Sequence, residues 1–145
     1  MHLLVLGRGR FEVVAMADVG LSASGASGAS EVLEFLLSGD PNFASSARGM
    51  FALFQRYAAA GRQKLPTAVF HEADRASGVW QFIKGRLRVF CFIDDGAMVV
   101  LTHGMVKKTQ KADRSEVEKA ARLRSAYLAA KAAEAITKED WSHGQ

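Results

Sequence analysis

Three short apolar stretches joined by two glycine turns place the strongest constraint on the fold of this chain. The stretches are Val79 to Lys84, Leu87 to Ile93 and Met98 to His103, and the turns are Lys84-Gly85 and Asp94-Asp95-Gly96. A glycine can adopt the positive φ that a tight hairpin requires. The pattern therefore predicts three antiparallel strands in a meander.

The chain before this meander predicts one strand and two helices. Residues 11–18 are rich in apolar and β-branched side chains, which indicates a strand. Residues 30–39 begin with a capping serine and end with a glycine, so they predict a short helix. Residues 40–61 begin with Asp-Pro, keep one apolar face and predict a longer amphipathic helix. The Gly, Ser and Ala residues at 22–30 predict a flexible loop.

The chain after the meander predicts one more helix and a tail. Residues 113–136 are rich in alanine and have high helix propensity. Two capping boxes could start this helix, Asp113 with Glu116 or Ser115 with Glu118. The tail at 137–145 shows no periodicity, and we expect its Trp141 and His143 to be loosely packed. These elements predict an α+β fold with helices against one face of a sheet.

Length and composition fit one globular domain over residues 1–145. The chain has 145 residues, of which 49% are hydrophobic and 23% are charged. Cys91 is the single cysteine, so neither an internal disulfide nor a zinc site of clustered Cys and His is expected. The apolar run at residues 3–6 is too short for a signal peptide or a membrane span. We therefore expect a cytoplasmic protein that does not cross a membrane.

The positive charge of the chain is concentrated in one region. The net charge is +4, and residues 84–111 carry all of it, while the other segments cancel. The charged residues of this region are Lys84, Arg86, Arg88, Lys107, Lys108 and Lys111, against Asp94 and Asp95. Such a concentration is typical of proteins that bind polyanions. From charge alone, a solvated basic face that binds no ligand is the preferred interpretation.

Several common catalytic motifs are absent from the sequence. There is no Gly-rich phosphate loop, no G-x-S-x-G, no H-E-x-x-H and no motif of paired carboxylates. What remains is a basic strand followed by a basic segment. Side chains alternate along a strand, so Arg88 shares a face with Phe90 and Phe92, and Cys91 lies on the opposite face with Leu87 and Val89.

The basic strand and the segment after the meander resemble a known family. The sequence RVFCF at 88–92, followed by VVLTHGMVKKTQK at 99–111, resembles the phage-derived, HigB-like branch of the RelE toxin superfamily. The resemblance extends from about residue 79 to 127. It implies a RelE-like α+β fold with an antiparallel, mixed-edge four-stranded sheet, two N-terminal helices and one C-terminal helix.

The resemblance also implies a function. It predicts the toxin of a type II toxin–antitoxin system that cleaves mRNA on the ribosome without a cofactor or metal. It predicts a cognate antitoxin partner, often with a helix-turn-helix domain. Metal-free cleavage of RNA lets the ribose 2′-OH attack the neighbouring phosphate, so the protein must position the strand, stabilise charge and move protons.

Candidate site residues follow from this chemistry. We expect three cations at the scissile phosphate: Arg88, Lys107 and Lys108. Along the RNA backbone we expect Lys84, Arg86 and Lys111, with Gln110 as a hydrogen-bond donor. His103 is either a general acid or base or a structural histidine that closes its strand, and the sequence leaves both open. His71 lies outside the motif and is interpreted as a loop residue.

The chain departs from the family pattern at three places. Cys91 stands where many relatives have Tyr, Gln81-Phe82-Ile83 stands where an acidic-Leu-Arg triplet is common, and Met105 replaces Phe. We interpret Cys91 as a small buried hydrophobic residue. The alternative function is a RelE-like protein that binds RNA, the ribosome or a partner protein without cleavage. A phage accessory protein that binds DNA through its basic face is a third possibility.

Overall fold

The chain forms one seven-stranded mixed sheet with helices on both faces in a computed structural model that describes residues 1–17, 30–110 and 113–141. The strands are β1 (His2–Arg8), β2 (Glu12–Ala17), β3 (Phe70–Asp74), β4 (Val79–Lys84), β5 (Leu87–Asp94), β6 (Met98–Val106) and β7 (Thr137–Asp140). The helices are α1 (Glu31–Leu36), α2 (Ala44–Ala60) and α3 (Arg114–Ala132), with a 3-10 turn at Arg62–Lys64. The sheet order is β3-β4-β5-β6-β2-β1-β7, in which β2–β6 and β1–β7 are parallel pairs.

The predicted meander is confirmed. Strands β4, β5 and β6 are antiparallel neighbours, with Trp80 opposite Cys91 and Phe92 opposite Val100. The turn glycines have positive φ, 57° at Gly85 and 70° at Gly96. This backbone conformation carries a steric penalty for residues with a Cβ, so the glycines fix where the chain reverses.

Strand β5 is buried on both of its faces, which explains why helices cover both sides of the sheet. Leu87, Val89 and Cys91 belong to the core under α1 and α2. On the other face, Phe92 packs on Tyr127 of α3, with ring centroids 5.2 Å apart. The expectation that all helices cover one face is therefore wrong, because a strand with apolar residues on both faces must be covered on both.

The two N-terminal helices form largely where the sequence predicts them. Ser30 caps α1 by accepting a hydrogen bond from the Leu33 N–H at 3.4 Å. Helix α2 ends at Gly61 as expected, but it begins at Ala44 and not at Asp40. The Asp40 carboxylate instead accepts the N–H of Asn42 at 2.9 Å, which stabilises a turn before the helix.

The predicted four-stranded sheet is wrong, because β1, β3 and β7 join it. Strand β1 contains the apolar run at 3–6, which does not alternate with polar residues because Leu4 packs in the core on one face of the sheet and Leu3 and Val5 pack in the core on the other. In β3 only Phe70 is fully buried. Strand β7 is exposed along its whole length and carries Lys, Glu and Asp. Polar strands at both sheet edges do not show the apolar pattern on which strand prediction depends.

The start of the tail is ordered by contacts with the N-terminal strand. Asp140 pairs with Arg8 at 2.9 Å, and His2 contacts Glu139 at 2.7 Å. The indole of Trp141 stacks on Phe51 of α2 with centroids 5.6 Å apart, so the expectation of loose packing is wrong for this residue. His143 lies outside the described residues.

Other expectations fall outside the described residues or stay predictions. The predicted flexible loop at 22–30 lies outside them, except for Ser30. Among the described residues, no helix is long and apolar enough to cross a membrane. The assignment of residues 1–145 to a single domain stays a prediction.

Candidate functional site

A cleft of about 430 Å³ lies between the N-terminal half of α3 and the outer strands β3, β4 and β5. Because side chains alternate, His71, Gln81 and Arg88 all point to the face of the sheet on which α3 packs. The other polar residues of the lining are Asp74, Ser77, Lys107, Asp113, Arg114 and Glu118. Three carboxylates and three cations line this cleft, so it is polar without a strong excess of either charge.

A shallower depression of about 280 Å³ adjoins the cleft and is strongly basic. It is lined by Gly85, Arg86, Arg88, Lys107, Lys108, Thr109 and Gln110, with no carboxylate among them. Arg88 and Lys107 line both the cleft and the basic depression. We therefore describe the two together as the groove.

Arg88 and Lys107 meet because their strands are neighbours. Arg88 lies opposite Met105 in the β5–β6 pair, and the Lys107 N–H donates to the Arg86 carbonyl at 2.7 Å. The Arg88 guanidinium donates to the carbonyls of Gly85 and Leu87 at 2.9 and 3.1 Å. Partial burial lowers the pKa of Arg88, and the negative charge of Asp113 opposes this. A guanidinium stays protonated in proteins, so Arg88 is a fixed cation in the groove wall.

Neither predicted capping box forms at the start of α3. Asp113 is the N-cap residue but makes no side-chain capping hydrogen bond. Its carboxylate instead lies 2.6 Å from the ammonium of Lys107, and Glu116 contacts His103. Both carboxylates are therefore used to connect α3 to the end of β6.

Only some of the residues that the sequence predicts to contact RNA lie together in the structure. Arg86, Lys108 and Gln110 line the basic depression with Arg88 and Lys107. The side chain of Lys84 lies against Gly49 of α2, on the opposite face of the sheet. Lys111 lies outside the described residues.

His103 is buried and does not line the groove. It is 1% exposed, and its ring stacks on Phe90 with centroids 5.2 Å apart. One ring nitrogen lies 3.0 Å from the Thr102 hydroxyl and the other 3.0 Å from the Glu116 carboxylate. Burial lowers the pKa of His103, helped by the charge of Lys119 and opposed by Glu116 and Glu31. Of the two interpretations from sequence, this geometry favours the structural histidine.

We expect His103→Ala to lower the free energy of unfolding by about 3 kcal/mol, because it removes a buried ring and leaves Glu116 without its partner. Because the folded-state pKa lies below the ordinary value of 6.5, the unfolded chain binds the proton more readily. Wild-type stability should therefore fall as pH drops below about 6.5, and part of this dependence should be absent from the variant. Urea unfolding at pH 7.5 and pH 5.5 measures both effects. A variant as stable as the wild type would contradict the structural role.

His71 is a candidate functional residue that the sequence interpretation missed. It lies on β3, not in a loop, and it lines the cleft. Its Nδ1–H donates to the Thr67 carbonyl at 2.8 Å, so Nε2 carries the lone pair and accepts from the Gln81 amide at 3.1 Å. The pairing of His71 with Gln81 across the β3–β4 hairpin places it there, and no local sequence pattern marks that pairing. The groove therefore contains a half-buried imidazole as well as cations.

The departures from the family pattern fall on different faces of the sheet. Cys91 is fully buried under α2, away from the groove, and burial raises the pKa of its thiol. This confirms its interpretation as a buried hydrophobic residue. Gln81 and Ile83 both line the cleft, so Ile83 places an apolar side chain at the position where the family resemblance predicts an arginine.

The chemistry available in the groove is that of cations, amides and one imidazole. Fixed guanidinium and ammonium groups bind phosphate oxygens by charge-assisted hydrogen bonds. Among the described residues, no group of three or more His, Cys, Asp and Glu side chains is placed to hold a metal ion. The groove is thus suited to hold a phosphodiester beside an imidazole.

Comparison with known proteins places the chain in a family. The sequence profile of the family described as Phage derived protein Gp49-like (DUF891) matches residues 43–125, which is more than half of the chain. The comparison with curated proteins gave no significant match. The matched region runs from the start of α2 into α3 and contains the whole groove wall from His71 to Ala121. The chain therefore belongs to the phage-derived Gp49-like family, which lies in the RelE/ParE toxin-like context of toxin–antitoxin systems.

Proposed function

We propose that this protein is a HigB-like toxin that cleaves mRNA on the ribosome and thereby inhibits translation. The proposal rests on one observation. Arg88, Lys107 and His71 line the same groove, although they come from different parts of the chain. Membership of a family from the toxin–antitoxin context supports the same reading. Each of the three supplies a group that RNA cleavage requires.

In this proposal, the scissile phosphate lies where the cleft meets the basic depression. Nε2 of His71 takes the proton from the ribose 2′-OH after the Gln81 amide rotates away. The 2′ oxygen then bonds to phosphorus, the bond to the 5′ oxygen breaks, and that oxygen takes a proton from water. The products are a 2′,3′-cyclic phosphate and a 5′-hydroxyl. Arg88, Lys107 and Lys108 stabilise the negative charge that grows on the phosphorane.

The basic depression would hold the RNA backbone beside the reacting phosphate. Arg86 and Lys108 are exposed, and Gln110 adds an amide that can donate to a phosphate or a base. Lys84 takes no part, because it lies on the other face of the sheet. The chain thus contains its own control, a lysine close to the groove in sequence but outside it in space.

RNA affinity should fall with salt because the groove neutralises phosphates. Each contact on single-stranded RNA contributes about 0.7 to the slope of log K against log salt, so four cations predict a slope near −3. Removing Arg86 or Lys108 should make the slope shallower by about 0.7, and Lys84→Ala should leave it unchanged. Titration of a labelled oligoribonucleotide at 50 to 200 mM salt measures this. Equal effects of all three substitutions would show that RNA does not select the groove.

Expression in a bacterial host tests the toxin assignment. Induction of the wild-type gene should arrest growth and fragment cellular mRNA. An equally abundant Arg88→Ala protein should permit normal growth. Normal growth and intact transcripts with folded wild-type protein would overturn the proposal.

Binding without cleavage is the second candidate function. The observation that favours it is Ile83, which puts an apolar side chain in the cleft where the family resemblance predicts an arginine. A binder would slow translation by occupying the ribosome or an RNA strand and would leave the RNA intact. Ile83→Arg separates the two functions, because it should increase the rate of an existing cleavage activity but should only tighten RNA binding by a protein that does not cleave.

A cognate antitoxin is the proposed partner, supported by the context of the family. We expect it to be encoded beside this chain and to carry a helix-turn-helix domain. Co-expression with the adjacent open reading frame should restore growth, and the two proteins should copurify. Growth arrest that persists with both proteins present would exclude that reading frame as the antitoxin.

A further inference from the structure

A second cleft, of about 460 Å³, lies on the opposite face of the sheet from the groove. It is formed where α2 ends, and the side chains that give it its chemistry are Arg10, Phe11, Arg62, Gln63 and Trp80. Along β5, Ile93 lines this cleft and Arg88 lines the groove. Five residues of strand separate them, on the order of 17 Å. The two sites are therefore distinct.

The charge of this second cleft is entirely positive. Its lining contains two arginines and no carboxylate. Both arginines are exposed, and among the described residues neither forms an ion pair with a carboxylate. Arg8, close by on β1, is different because Glu12 and Asp140 both pair with it. The two arginines of the second cleft are thus open to an anionic ligand.

Aromatic rings hold one of these arginines in position. The Trp80 ring stacks on Phe70 on one side, with centroids 5.0 Å apart, and the Arg62 guanidinium lies 5.0 Å from its centroid. A guanidinium that stacks on a ring keeps its N–H donors in its own plane, where they can bind a phosphate in a forked geometry. The stack therefore pre-organises Arg62 without using its hydrogen-bond donors.

The backbone around the second cleft is also fixed. Gly61 has a φ of 83°, and a Cβ at this position would lie 2.7 Å from the ring of Phe11. The chain therefore turns tightly from α2 into Arg62, and Phe11 lies directly against the turn. Phe11 is only partly buried, so its ring contributes an apolar surface to the cleft.

We propose that the second cleft binds one nucleotide of single-stranded RNA, with the phosphate on Arg10 and Arg62, the base against Phe11, and the base edge at Gln63. Stacking on aromatic rings together with cation contacts to the backbone is the usual way in which proteins hold single strands. An acidic peptide would need the cations but not the ring and the amide. The choice of RNA as the ligand rests on the proposed function. The existence of a basic, aromatic cleft that can bind an anion does not.

Fluorescence of Trp80 tests this site separately from cleavage. In a Trp141→Phe background, which keeps a ring on Phe51, Trp80 is the single tryptophan. Titration with the oligoribonucleotide A5 should change its emission in a saturable way. Arg10→Ala should weaken binding about tenfold or more, because it removes the charged hydrogen bonds between the Arg10 guanidinium and the phosphate. The substitution does not alter the Trp80 ring that reports binding. Arg88→Ala, in the groove, should leave this titration unchanged even if all cleavage is lost.

Two results would overturn the inference. One is Trp80 emission that does not change when A5 is added, or that changes to the same extent with and without the Arg10→Ala substitution. The other is a pentaglutamate peptide that binds as tightly as A5 with the same dependence on Arg10, which would assign the cleft to an acidic protein partner. Failure of the protein to cleave mRNA, with saturable and Arg10-dependent A5 binding, would refute the proposed function and leave this site intact.

Discussion

Replacing His71 by Gln should lower the rate of mRNA cleavage by about 10²–10⁴-fold, the usual size of a general acid–base contribution. Glutamine can still donate to the Thr67 carbonyl, so the local structure should persist. It cannot accept and release a proton at neutral pH. RNA affinity should change little, because Arg88, Lys107 and Lys108 still line the groove. Single-turnover cleavage on ribosomes and a parallel RNA-binding titration measure the two effects.

His2→Gln is the matched control for this substitution. His2 lies on β1 and contacts Thr137 and Glu139 of the tail, away from the groove. Its replacement should leave the cleavage rate unchanged. If His71→Gln cleaves at the wild-type rate and a folded His103 variant does not, the proton is carried by the buried histidine and the assignment to His71 is wrong.

Arg88→Ala should lower the cleavage rate by about 10²–10³-fold, because one fixed group that stabilises transition-state charge contributes roughly 3 kcal/mol. The loss in RNA affinity should be much smaller, since Lys107 and the rest of the basic depression remain. Arg88→Lys should restore only part of the rate, because an ammonium cannot reproduce the guanidinium held by two backbone carbonyls. Parallel measurement of binding and single-turnover cleavage separates the two effects.

Lys84→Ala removes a cation of the same region from the opposite face and should behave like the wild type in both measurements. Equal losses of affinity and rate in Arg88→Ala would show that Arg88 only docks the RNA. A loss of rate in Lys84→Ala would contradict the position of the groove.

The sheet centre could be predicted from the sequence because its signals are local. The glycine turns fix the ends of β4, β5 and β6, and alternation along β5 correctly assigns Arg88 and Phe90 to one face and Cys91 to the other. The edges could not be predicted in this way. Strands β3 and β7 are held by backbone pairing and by charged contacts such as Asp140 with Arg8, and these leave no apolar pattern in the sequence.

The cations of the site were easier to predict than its imidazole. Arg88 and Lys107 lie together because β5 and β6 are joined by a predicted turn. His71 and His103 both lie near the cleft, but only His71 lines it. The strand registers of the β3–β4 and β5–β6 pairs decide this. A bulge between Phe90 and Cys91 shifts the β5–β6 pairing, and His103 stacks under α3. Pairing with β4 brings His71 beside Gln81, and no local pattern marks that contact.

Cleavage of a defined mRNA in a reconstituted translation system decides whether the groove is a ribonuclease site. With wild-type protein and ribosomes, we expect fragments that end in a 2′,3′-cyclic phosphate and begin with a 5′-hydroxyl. Omission of ribosomes, or use of Arg88→Ala or His71→Gln, should leave the mRNA intact over the same time. Full-length mRNA with folded wild-type protein on translating ribosomes would refute cleavage by this protein, and wild-type cleavage rates in both groove variants would refute the assignment of cleavage to the groove.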